Sequence, residues 1–232
     1  MKIRLRCPPE LTGLLPKPVL ARRALPDWLK DMPSTAASED AGGDIRTVKQ
    51  CPPFVDAMSA GILIPLATDL HVERGHLSWD WDLPASSVGA TRSPVAFHLI
   101  DQAKGSPLYV EDGTVIKFNN FWTIELEPGQ SLLCTHPFNR EELPFRTLTG
   151  LVDADLYTDA FIQFPARWLD PAFSGVVPKG TPIAQCVPVA RAALSLEFAD
   201  LRDDAAARFV EVKEAMDQAP GVYRRRFRAK KP

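Results

Sequence analysis

Five polar residues on two short segments have the types and spacing for anion chemistry. His136, Asn139 and Arg140 lie in HPFNR, and Asp153 and Asp155 lie in the turn after GLV. The linking segment EELPFRTLT is short enough to bring both segments to one end of a β structure. A guanidinium can hold a carboxylate or phosphate through two parallel hydrogen bonds, and an aspartate kept ionised beside it can activate water. Asp153, Asp155 and His136 are therefore the catalytic candidates, and Asn139 and Arg140 the ligand contacts. The same residues also fit a structural role, with an Arg140–Asp153 ion pair fastening two loops.

A different chemistry is open to His71, Glu73 and His136. An H-x-E pair on one strand face and a distant histidine are the ligand types of a facial iron triad, and Arg146, ten residues after His136, could pair the carboxylate of a 2-oxoglutarate co-substrate. With four histidines in the chain, hydrogen-bonded or solvent-facing side chains are the plainer account. At the C-terminus, Arg224, Arg225, Arg226, Arg228, Lys230 and Lys231 are interleaved with Tyr223 and Phe227. That composition suits phosphate neutralisation with base stacking, or simply a solvated tail.

Composition narrows the classes. A net charge of -2 supplies no global field for nucleic acid or anionic lipid. The hydrophobic share of 45% and charged share of 24% are those of a globular chain, and 232 residues can bury one substantial core. The 22 prolines follow no repeat, which excludes collagen-like and solenoid designs and favours strands and loops over long helices. Cys7, Cys51, Cys134 and Cys186 lack CxxC spacing, and MKIRLRCPPE lacks an export signal, so reduced thiols in the cytoplasm are expected. No apolar run is long enough for a membrane span.

The elements that must position these residues are mostly short strands. Ile3, Leu5 and Cys7 alternate with Lys2, Arg4 and Arg6 as in an edge strand. Pro16 to Pro33 reads as an extended arm with a helical turn packed by Trp28, and Ser34 to Gly43 as a surface loop. Pro52 and Pro53 precede a short helix over Phe54 to Ala60, stopped by Gly61. Strands are expected over Ile62 to Glu73, at the WDWD of Trp79 to Asp82, and at Val115 to Phe118, Trp122 to Leu126, Ser131 to Thr135, Phe161 to Phe164 and Ile183 to Val189, with EDGT and EPGQ as turns. Phe209, Val212 and Met216 mark an amphipathic helix from about Asp203 to Gln218.

Two resemblances add to this reading. Gly150, Val152 and Asp153, followed by Gly180, Ile183, Ala184 and Gln185, resemble in their order the G-x-[IV]-D and G-x-x-IAQ motifs of the trimeric dUTPase and dCTP deaminase group. That resemblance implies a β-barrel, a water-activating role for Asp153, a ligand contact at Gln185 and a trimer. The sequence departs from the pattern at Leu156, where the motif has tyrosine; Tyr157 stands one place late, and neither the R-S-G motif nor a Gly-rich closing arm is present. Over a longer span, LPDWLKDMP, TVKQCPPFVDAMSAGILIPLATD, HPFNR, GLVDADLY and VPKGTPIAQCVPVAR resemble an uncharacterised family of bacterial and tailed-phage proteins, which implies one domain and no particular mechanism.

The expectation is a mainly β fold, a single-domain barrel or double-stranded sandwich with a short internal helix and a C-terminal amphipathic helix. Residues 1–200 form the β-rich domain with its N-terminal arm, and 201–232 the helix and basic tail. Three functions stay open: a β-barrel binding a small anionic or nucleotide-like ligand through its turns, a non-catalytic binding or assembly protein, and a non-haem iron oxygenase. Whether the chain is an enzyme is left between them, as are its cofactor and oligomeric state. The expected partners are a small anion and, through the tail, nucleic acid, with no membrane.

Overall fold

Short apolar alternations separated by proline and glycine become, among the described residues, sixteen strands and three α-helices in the computed structural model, which describes residues 1–80, 83–109 and 115–230. In chain order the first elements are β1 (Arg4–Arg6), β2 (Val19–Leu20), α1 (Asp27–Asp31), β3 (Thr35–Ser38), β4 (Gly43–Arg46) and α2 (Pro52–Met58). They are followed by β5 (Ile62–Pro65), β6 (Leu70–Glu73), β7 (His76–Ser78), β8 (Val95–Phe97), β9 (Val115–Phe118), β10 (Thr123–Glu125) and β11 (Gln130–Thr135). The chain ends with β12 (Phe145–Thr147), β13 (Gly150–Val152), β14 (Phe164–Trp168), β15 (Gly175–Val177), β16 (Pro182–Ala190) and α3 (Asp203–Gln218). The fold is mainly β, and every strand pairing among the described residues is antiparallel.

The chain divides into two compact units, one of Met1–Asp31 with Asp56–Arg191 and one of Met32–Val55 with Ala192–Pro232. In the larger unit the sheets run β13-β11-β16-β5-β2, β12-β14-β9-β8, β15-β6-β7 and β1-β10; among the described residues none closes on itself. Their inward faces share one core. Phe118, Phe145 and Phe164 are fully buried with Ile64, Leu70, Ile116, Leu132 and Ile183, and Phe118 meets Phe145 edge to face at 4.7 Å. Each such side chain contributes about 1.5–3 kcal/mol by leaving water. At the centre of the largest sheet, Cys134 and Cys186 stand opposite each other as buried free thiols with Sγ atoms 3.7 Å apart.

Gly61, three residues past the end of α2, takes φ +68° and brings the backbones together. A Cβ there would lie 2.1 Å from the carbonyl oxygen of Cys186, so only glycine allows β5 to enter the sheet at this point.

In the smaller unit, Thr35 to Gly43 corrects the expected loop. Thr35 pairs with Arg46 and Ser38 with Gly43 in a β3–β4 hairpin, because a strand of small residues needs only its backbone ladder. None of the residues of α3 is buried. Beyond it, Tyr223 to Phe227 form a single π-helical turn tied to α3 by Arg226 and Glu211 at 3.0 Å. No helix among the described residues is long and apolar enough to cross a membrane.

Two expected strands differ in place or extent. Ile62 to Glu73 is two strands, β5 and β6, split where Leu66 bonds to Thr181 and Gly180. The strand expected at Phe161 to Phe164 begins at Phe164, and Phe161 makes only an isolated bridge to Thr123. Trp81 and Asp82 of WDWD, the EDGT turn and Lys231 lie outside the described residues.

Candidate functional site

Strand register decides what surrounds the two aspartates. β11 pairs with β13 so that Leu132 faces Val152, and with β16 so that Gln130 faces Ala190. The turn after β13 and the residue after β16 thus reach the same end of β11. There Asp155, its side chain only 5% exposed, accepts hydrogen bonds from the Gly129 amide at 2.7 Å and from both terminal nitrogens of Arg191, the Nη1 contact at 2.7 Å. Asp153 Oδ1 accepts from Ser131 Oγ at 2.6 Å and Arg191 Nη1 at 3.2 Å, while its side chain stays 56% exposed. Arg191 also donates to the Gln130 carbonyl at 3.0 Å.

The electrostatics follow from this fork. Hydrogen bonding from the Arg191 guanidinium, reinforced by the Gly129 amide against a desolvation penalty, holds the Asp155 carboxyl down to about 2. The same bonds raise Arg191. At neutral pH Asp155 is a carboxylate with its oxygens engaged, which suits a clasp between β11, β13 and β16 rather than proton transfer.

The expected Arg140–Asp153 pair is not formed. Arg140 Nε instead donates to Glu142, and its side chain is 15% exposed. It sits in a turn that needs Asn139 in the left-handed region, at φ +59°, a conformation asparagine tolerates better than most residues. Inside the turn, His136 Nε2 donates to the Arg140 carbonyl at 3.0 Å and Nδ1 accepts the Thr147 amide at 3.3 Å. That pair of bonds assigns the neutral Nε2–H tautomer. Burial lowers the pKa of His136.

Gln185, buried in β16, is committed on both sides. Its Nε2 donates to the carbonyls of Ala57 at 2.9 Å and Ala60 at 2.7 Å, and its Oε1 accepts the Phe138 amide at 2.9 Å. It joins the end of α2 to the HPFNR turn.

The facial-triad residues are not brought together. His71, on β6, lies opposite Val176 and Ser78 with Nε2 3.9 Å from Asp80, and Glu73 lies opposite His76. His136 has both ring nitrogens engaged, and Arg146 pairs with Glu141. Among the described residues no group of three or more His, Cys, Asp or Glu side chains could hold a metal ion.

Arg140 faces a different setting. With Lys17, Lys30 and Asp27 it lines a cleft of about 360 Å³ whose apolar wall includes Val19, Leu25 and Leu63. Lys30 Nζ and Asp27 Oδ1 are 2.7 Å apart, and this bond holds the Asp27 carboxyl below its usual value. Sequence reasoning passed over Lys17, Ser131 and Arg191. The signal for Arg191 was its place directly after the IAQ strand, legible only once that strand's register on β11 is known.

No family model matches the chain, and no curated protein matches it, so the likeness to the bacterial and phage family finds no support there. Among solved structures, a mutant dUTPase from phage phi11 of S. aureus, described for the coordination of a structural Mg(II) ion, matches with 12% identity and a TM-score of 0.27 over 47% of this chain and 97% of that chain. A TM-score of that size carries no argument about fold or chemistry.

Proposed function

We propose that the chain is a non-catalytic binding protein that takes a small anionic ligand in the cleft at Arg140. The observation carrying this reading is the lining of that cleft: three cations, Lys17, Lys30 and Arg140, over an apolar wall, with Lys30 paired to Asp27 and Arg140 paired to Glu142 through Nε. A phosphate or carboxylate entering there meets a largely desolvated guanidinium, where a charge-assisted hydrogen bond is strongest, and an apolar body can rest on Val19 and Leu63. The engagement of the other candidates favours the same reading, since Asp155 in the 153–155 turn is held by Arg191 and His136 in the HPFNR turn by backbone groups.

The finer architecture belongs to this proposal too. The five-stranded and four-stranded sheets act as the two layers of a sandwich, with the cleft beside β2 and β5 at one edge.

Calorimetric titration with inorganic phosphate, nucleoside triphosphates and dicarboxylates tests the reading. One of these classes should bind saturably, and Arg140→Ala should weaken it at least tenfold, about 1.4 kcal/mol. Failure of every class to bind the wild-type chain would overturn the proposal.

A further inference from the structure

We infer that the smaller unit binds single-stranded nucleic acid through a basic groove built by Arg46, Arg224 and Arg225 with Tyr223. These residues come from two distant stretches of sequence and belong to the same compact unit. Arg46 ends β4, and the other three begin the π-helical turn after α3.

The groove rests on a close approach of like charges. Gly221, at φ +82°, exposes bare backbone to two guanidinium groups: a Cβ there would meet Arg46 Nη1 at 3.2 Å and Arg225 Nη1 at 3.3 Å. Arg225 is steadied by donating to the Pro220 carbonyl at 3.1 Å. Arg226 pairs with Glu211, Lys213 with Asp217 and Arg202 with Asp200, and among the described residues Arg46, Arg224 and Arg225 show no carboxylate partner. Two guanidinium groups side by side repel, and an oxyanion between them turns that repulsion into two charge-assisted contacts.

The surroundings point to a chain of phosphates. Arg46, Arg224, Arg225 and Tyr223 line a cleft of about 290 Å³, and Lys49, Arg224 and Arg228 line a second of about 180 Å³. The two share Gln50, Pro52 and Arg224, so the cations run in series. Tyr223, 38% exposed on the wall of the first cleft, offers a ring for stacking, which serves an unpaired base and not a duplex. The chain's overall charge of -2 confines the attraction to this groove.

Fluorescence anisotropy of the full chain with labelled oligothymidylate tests the inference. Three phosphate contacts predict a slope of log K against log salt near about -2, roughly a twentyfold loss of affinity between about 50 and about 200 mM salt. In the Arg46→Gln/Arg225→Gln variant the slope should fall to about -0.7, while Tyr223→Ala should weaken binding several-fold with the slope unchanged. Circular dichroism reports whether the double variant is folded, and Arg224→Gln, which should lower the slope by about 0.7, provides a second line if it is not. Absence of salt-sensitive binding by the wild-type chain, tighter binding of a duplex of equal length, or a folded double variant that binds as wild type would overturn the inference.

Discussion

Arg191 grips Asp155 with both terminal nitrogens from the residue just past β16, and in doing so ties three strands of the largest sheet at one end. An aspartate in that position has lost the freedom a general base needs. The arginine that holds it is thirty-six residues away in sequence, and only β11 separates their two strands in the sheet.

The clasp predicts a pH dependence. Asp155 is held near about 2 in the folded chain against an ordinary value of 3.8, so the unfolded state binds the proton first as pH falls. The stability it contributes is fully present above about 4 and is lost between there and about 2. Arg191→Ala removes the cause, and its acid-unfolding midpoint, followed by circular dichroism, should move to higher pH. An unmoved midpoint would show the pair to be inert.

His136 predicts a second window at milder pH. Its folded value is lowered from 6.5 by burial, so below about 6.5 the unfolded chain takes up a proton that the folded chain refuses. Stability should decline as pH drops through that range, and His136→Asn should flatten the decline. Urea midpoints at pH 7 and pH 5 compare the two.

Gln185→Leu should cost about 2–4 kcal/mol in urea unfolding. It leaves the Ala57 and Ala60 carbonyls and the Phe138 amide without their partner in a buried site, at about 1–3 kcal/mol for each group that water cannot reach.

Gly61→Ala should cost more than about 1 kcal/mol, from a positive φ that alanine resists and a Cβ placed 2.1 Å from the Cys186 oxygen. A thermal melt lowered by at least about 3 °C is the expected reading.

Much of the fold was legible where side chains reported their environment. Val115–Phe118 and Asp203–Gln218 stand where the apolar spacing puts them, while the helix expected over Phe54 to Ala60 takes Pro52 and Pro53 into its first turn and ends at Met58. The β3–β4 hairpin was hidden because its small and acidic residues bury nothing and hold by backbone bonds. For the candidate site, the residue types of the two turns were legible and their partners were not. Whether Asp153 meets Arg140 or Arg191 depends on the register of β16 against β11, and either arginine satisfies the same charge.

The most direct measurement compares Arg140→Ala and Asp153→Asn in one calorimetric titration series, with phosphate, nucleoside triphosphates and dicarboxylates as ligands and product formation monitored alongside. Arg140→Ala should lose at least tenfold in affinity, Asp153→Asn should bind as the wild-type chain does, and no product should form. Loss of binding or of turnover in a stably folded Asp153→Asn chain, with Arg140→Ala unaffected, would contradict the account and return the chemistry to the 153–155 turn.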